Sequence, residues 1–190
     1  MEIAAEPARL ISAPAGSRRG KDVLQHYGST LASMGINTKT NPADAIRGAY
    51  VVGYGLGMRE SSGRWCEGVD MSARSGRGAQ SIEAGPFQTS YDSMSSEVKG
   101  LYEEYKSASK EKCQLDVWQE GVRCGGVRNS GGGEAARFQQ LSKVCPAFAT
   151  EYAVALSRKL YNHYGPLSRK EAEANPSCNN LLKEVQGYIE

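Results

Sequence analysis

NPADAIRGAYVVGYGLGMRESSG, residues 41–63, decides the architecture. Asn41 suits an N-cap, Pro42 the first helical position, and Asp44 puts negative charge in the first turn, where the helix dipole favours it. The pattern predicts a helix running to about Arg59. At 100° per residue, Ile46, Ala49, Gly53, Leu56 and Glu60 fall within about 40° of Glu60's own direction, so the stripe expected to face the core ends in a carboxylate. Gly53 and Gly57 stand four apart and cost roughly 1 kcal/mol each in helix propensity. A helix that accepts this cost is expected to be central, with others approaching closely.

The whole chain is consistent with one compact unit. Its 190 residues, 39% hydrophobic and 23% charged, lie in the globular range. A net charge of +2 lacks the dense basic face of a nucleic-acid binder, so no nucleic-acid partner is expected. Mild basicity suits an anionic polymer such as a bacterial cell wall. No apolar run reaches the length of a membrane span, and the first twenty residues lack the charged-then-apolar order of a secretory signal. Either the chain is intracellular or a signal was removed before Met1. Cys66, Cys113, Cys124, Cys145 and Cys178 show no C-x-x-C spacing, which argues for disulfides rather than a metal site and so for an oxidising compartment. Cys113 with Cys124 would close a short loop, Cys145 with Cys178 would tie two late helices, and Cys66 would be left over. The chain is expected to be a monomer without metal or cofactor.

Outward from the central helix, residues 1–20 carry two prolines and scattered charge with no period, and read as a flexible arm before a single domain over 21–190. Val23, Leu24, Tyr27, Leu31 and Met34 recur at helical spacing, with Gly35 as a stop. Residues 62–81, rich in Gly, Ser and Arg, suit loops or a small irregular hairpin. The stretch IEAGPFQTSYD, 82–92, alternates briefly around Gly85-Pro86 and reads as a short strand or turn laid across a cleft. Met94 to Tyr105 form one helical stripe, Leu115 and Trp118 a short segment, and Phe138, Leu141 and Val144 another stripe. Pro146 opens a long helix, and Ser168 with Glu171 has capping-box spacing before a last helix through Leu181 and Ile189. The fold class is mainly α with a small β element.

A carboxyl at the inner end of a buried stripe is partly desolvated, which favours its neutral form and suits a general acid that protonates a leaving glycosidic oxygen. Glu60-Ser61-Ser62-Gly63, followed by Gly85-Pro86-Phe87-Gln88, resembles the lysozyme-like superfamily. Lytic transglycosylases and goose-type lysozymes there carry a glutamate in an E-S-x-G context and then a G-L-M-Q type cleft segment. The G-P-F-Q variant is similar to the G-P-I-Q segment of plant-type chitinases. Residues 160–165, LYNHYG, are distantly similar to the A-Y-N-A-G helix end of transglycosylases. The chain departs from the goose-type pattern at Ser90, where an aspartate is expected, and at Phe87, which replaces the methionine. The resemblance implies a lysozyme-like fold.

For the second carboxylate that hydrolysis requires, Glu83 and Asp70 rank level and Asp92 third. Gln88, Thr89, Ser90 and Tyr91 are suited to hydrogen-bond or stack on sugar rings, and Trp65 to act as a sugar platform. With His26 and His163 the only histidines, a nucleophile triad has little support. The expected activity is hydrolysis of a β-linked aminosugar polymer, peptidoglycan first and chitin or chitosan second, by a secreted or periplasmic enzyme. A lytic transglycosylase and a silent carbohydrate-binding module are the alternatives.

Overall fold

The computed structural model describes residues 7–16, 22–64, 66–68, 78–107, 113, 129–160, 166–167, 169 and 174–187. They form a mainly helical fold: α1 (Pro7–Ser12), α2 (Val23–His26), α3 (Gly28–Ser33), α4 (Pro42–Ser61), α5 (Ser96–Ser107), α6 (Gly133–Val144), α7 (Pro146–Leu160) and α8 (Pro176–Gly187). Two 3₁₀ turns, Ala79–Ser81 and Tyr91–Ser93, flank one isolated antiparallel bridge between Ala84 and Thr89.

α4 begins as its sequence dictates. The Asn41 side chain accepts from the Ala43 N–H at 2.9 Å, Pro42 opens the helix, and Asp44 accepts from the Asn37 N–H at 2.9 Å and from Arg47 at 3.0 Å. Its buried face, however, includes Ala45, Gly48, Ala49, Val52 and Gly55, rotated about 100° from the expected stripe. Ile46 is 49% exposed, and Glu60 stands at the rim of the buried arc rather than on its midline. The closest approach is made at Gly48, where a Cβ would lie 2.9 Å from Thr38 and 3.2 Å from Leu31.

The helix shared by both parts of the core is α7, not α4. Among the described residues one apolar cluster joins Val23, Leu24, Leu31, Ala45, Val51 and Val52 to Val154, and a second gathers Val98, Leu101, Tyr102, Phe138, Phe148 and Tyr152. Val154 and Tyr152 thus send α7 into both. The second cluster is built of rings in edge and tilted contact, Phe138 to Tyr152 at 4.9 Å and Phe138 to Phe148 at 5.6 Å between centroids. Cys145 separates α6 from α7, and Pro146, lacking an N–H, starts the new helix.

Residues 7–16 are not a flexible arm. α1 packs against α7, α4 and α5, and the chain beyond it is tied down by a buried ion pair. Arg158 and Asp22 have side chains 3% and 7% exposed and meet in two bonds, Nε to Oδ1 at 2.8 Å and Nη2 to Oδ2 at 2.9 Å. The remaining Arg158 donors reach the carbonyls of Leu10 (3.0 Å), Ile11 (2.9 Å) and Pro14 (3.1 Å). Asp22 also accepts from the N–H groups of Gly16 and Leu24, at 2.8 and 2.9 Å. All five guanidinium N–H groups are used, which offsets the cost of burying both charges. No local period announces this segment, because its hydrogen-bond partner lies on α7.

The cysteines pair differently from expectation. Cys113 is bonded to Cys145, Cys66 is itself disulfide-bonded, and Cys178 is a buried free thiol. Cys178 belongs to the first apolar cluster and Cys145 to the second, so the pairing expected between them is excluded by which core each one enters.

Candidate functional site around Glu60

Glu60 is half-buried at the next-to-last position of α4. The helix stops because Ser62 and Gly63 adopt left-handed conformations, φ +55° and +75°. The Ser62 N–H donates to the Met58 carbonyl at 3.0 Å, and the Gly57 carbonyl accepts from Gly63 N–H at 3.3 Å and Ser61 Oγ at 2.9 Å. The chain then passes through exposed Ser62, Gly63 and Arg64 to buried Cys66 and half-buried Glu67 and Gly68.

The Gly85-Pro86-Phe87-Gln88 segment is brought to this end of α4. Ala84 and Thr89 exchange both backbone hydrogen bonds, at 3.0 and 3.3 Å, and enclose it as a four-residue loop. Gly85, at φ +80°, sits so close to the Ser142 carbonyl of α6 that no Cβ fits. Phe87 lies over Gly57, whose added Cβ would come 3.2 Å from the ring. Two hydrogen bonds fasten the loop to the chain leaving α4: Gly85 N–H to the Glu67 carbonyl at 2.9 Å and Gln88 Nε2 to the Gly68 carbonyl at 3.2 Å. Glu83 immediately precedes the bridge and is half-buried.

The other proposed contacts are engaged inside the fold. Gln88 uses its amide nitrogen also on the Gly85 carbonyl, at 2.9 Å. Thr89 and Ser90 are buried. Asp92 accepts the hydroxyls of Ser81 and, at 2.7 Å, Ser90, and Ser90 further meets Ser93 at 2.7 Å. The Ser90 carbonyl accepts from Tyr152 at 3.3 Å. Asp92 therefore joins the turn before the loop to the turn after it, and Ser90 anchors both to α7. Tyr91 packs edge-on against Tyr102 and Phe138, centroids at 5.8 and 6.0 Å, rather than standing free as a platform. Asp70, Trp65, Trp118, Tyr161, His163, Ser168 and Glu171 lie outside the described residues.

Sequence reading missed the polar face of α6. Phe138 is buried as expected, but Val144 is 43% exposed, while Gln139, Ser142 and Lys143 are buried at 0%, 1% and 3%. These three share one helix face, and Ser142 lies against Gly85. Gln139 accepts from Ser130 N–H at 2.7 Å and donates to the carbonyls of Ala79 (3.1 Å) and Ser130 (3.2 Å). Burial pushes the Lys143 ammonium below its ordinary pKa. The signal was present as Gln, Ser and Lys at i, i+3 and i+4, but an apolar template passes over it.

One groove among the described residues, of about 540 Å³, separates α4 from α8 and is lined by Tyr54, Met58, Arg59, Cys178 and Leu181. Another of about 530 Å³ lies between Ser81, Tyr91 and Glu134. No group of three His, Cys, Asp or Glu side chains among the described residues is arranged to hold a metal ion, and no described helix is long and apolar enough to cross a membrane. Compared with protein-family models, curated proteins and solved structures, the chain matches none.

Proposed function

We propose that the protein is a lysozyme-like glycoside hydrolase that cleaves a β-linked aminosugar polymer, peptidoglycan in the first place, with Glu60 as the general acid. One observation carries this reading: the Gly85–Gln88 loop is fastened to the end of α4 that bears Glu60, by Phe87 on Gly57 and by hydrogen bonds to the carbonyls of Glu67 and Gly68. A half-buried carboxyl beside a rigid loop is the arrangement a proton donor to a bridging oxygen needs. In the proposed step Glu60 protonates that oxygen as the C–O bond breaks, positive charge develops on the sugar ring, and water held by Glu83 or Asp70 adds to the anomeric carbon. Asp92, which receives two serine hydroxyls, is better suited to hold the loop than to act as base. The disulfides support a secreted or periplasmic location.

Incubation with peptidoglycan, chitin and chitosan, followed by mass spectrometry, tests the reading. Hydrolysis adds one water per cut, whereas an anhydro product marks a transglycosylase. Glu60→Gln is expected to lower cleavage by about 100-fold or more. Full activity in Glu60→Gln would remove Glu60 from the mechanism, and binding without cleavage by the wild type would make the protein a carbohydrate-binding module.

A further inference from the structure

We propose that the protein is a homodimer in which two copies pack α4 against α4 about a two-fold axis, in place of the monomer expected from the sequence. Four of the five large hydrophobic residues left exposed among the described residues gather on one side of the molecule: Ile46, Tyr54 and Met58 on α4 and Leu181 on α8, each between 43% and 49% exposed. Tyr54, Met58 and Leu181 line the groove of about 540 Å³ between the two helices. Half-buried Tyr50 fills the step between Ile46 and Tyr54, its ring 6.4 Å from that of Tyr54 and tilted by 31°. Ile46, Tyr50, Tyr54 and Met58 thus follow one another at steps of four along α4. No charged residue occurs from Gly48 to Met58, and Arg47, just before this run, is paired with Asp44 at 3.0 Å. A solvent-facing helix surface normally carries charge, whereas an uncharged surface that turns Tyr and Met outward has the composition of an interface core.

The occupant of this face is a second copy because the stripe is symmetric about its own midpoint. Residues at steps of four form a ridge of the kind that packs against another of its kind at about −50°, the commonest class of helix crossing. A two-fold axis perpendicular to α4 at the level of Val52 sets Ile46 opposite Met58 of the second copy and Tyr50 opposite Tyr54 of the second copy. Ile46 then enters the groove beside that Met58, and every member of the stripe meets an apolar or aromatic one, as an isologous contact requires. The area agrees with this occupant. The four exposed side chains present roughly 400 Å² per copy, about half of the ~800 Å² that each partner gives to a stable interface. A polar rim surrounds such a core, and Arg59, Asn175 and Ser177, which also line the groove, begin it. Glu60 points about 160° round the helix from Met58, so the contact does not cover the candidate site, and the inference does not depend on the functional reading above.

Sedimentation equilibrium of the full chain tests the proposal. The wild type is expected to have twice the mass of one chain at about 100 µM, and Tyr54→Arg and Ile46→Arg each to raise the dissociation constant about 100-fold while circular dichroism stays that of the wild type. Val144→Arg, at an equally exposed position on α6 away from the stripe, is expected to leave the dimer intact. Orientation is read by oxidative cross-linking: Ile46→Cys mixed with Met58→Cys is expected to give a covalent dimer on non-reducing electrophoresis, and neither variant alone to do so, since like positions stand about 18 Å apart along antiparallel helices. A wild type of single-chain mass at every concentration overturns the dimer, as does a dimer that Tyr54→Arg and Ile46→Arg leave unchanged. Cross-linking of Ile46→Cys alone in place of the mixture overturns the two-fold arrangement. A monomeric wild type that binds peptidoglycan and loses this binding in Tyr54→Arg overturns self-association in favour of a polymer on this face.

Discussion

Gly85 is the residue on which the candidate site is most exposed to a single change. It has φ +80°, and its Cα faces the Ser142 carbonyl too closely for any side chain. Gly85→Ala adds a left-handed strain of about 1–3 kcal/mol to that collision, so a loss of about 2–4 kcal/mol is expected in denaturant unfolding, with Phe87 displaced from Gly57. Stability within about 0.5 kcal/mol of wild type would show that the loop shifts off α6 without cost. Asp92 is different in kind. Its carboxylate serves two hydroxyls, so its contribution is to the shape of the 81–93 segment. The identities Gly85, Gln88 and Asp92 were all legible as turn formers or polar candidates. Their use as fasteners was not, because Glu67, Gly68, Ser81 and Ser142, to which they fasten, lie between about 10 and 60 residues away.

Among elements, α1 and α7 show how a distant partner overrides local reading. The Asp22–Arg158 pair and its five further bonds make the N-terminal segment part of the fold. Arg158→Met leaves Asp22 buried without its counter-charge and three carbonyls without donors, and is expected to cost about 3–5 kcal/mol in chemical denaturation. Limited proteolysis should then cut near residues 13–16 before the core opens; unchanged stability and an uncut segment would contradict the assignment. α4 illustrates the complementary case. Its ends are set by Asn41, Pro42, Ser62 and Gly63 and were close to the reading, since caps are local chemistry. Its rotation about its axis was not, since Gly48 and Gly55 bury as well as any apolar side chain where neighbours come close.

For the whole molecule, the ring cluster sets the response to alkali. Burial raises the phenols of Tyr102, Tyr105 and Tyr152 above the ordinary value near 10; at Tyr102 the bond to Glu134, 3.0 Å, adds to this, and at Tyr105 the charge of Glu151 does. An acid held protonated in the native state binds more protons there than in the unfolded chain. Its contribution to stability is therefore complete below pH 10 and is lost as pH rises through the native values. In a pH titration followed by phenolate absorbance and circular dichroism, part of the ten tyrosines should ionise only as helix is lost. Ionisation of all ten near pH 10 with the helices intact would contradict the burial of this cluster.

The chain by itself determined what depends on neighbours within a turn or two: mainly helical elements, the opening of α4 and α7 by proline, the stop at Gly35, and the short turn around Gly85. Helical period and caps encode these in about four consecutive residues each. Tertiary structure alone decided which face of α4 and α6 is buried, that α7 is the shared helix, that residues 7–16 dock, and which cysteines join. It also decided that Gln139, Ser142 and Lys143 go inside, because a polar side chain is buried where the fold brings it a partner, and that partner is not written beside it in the sequence.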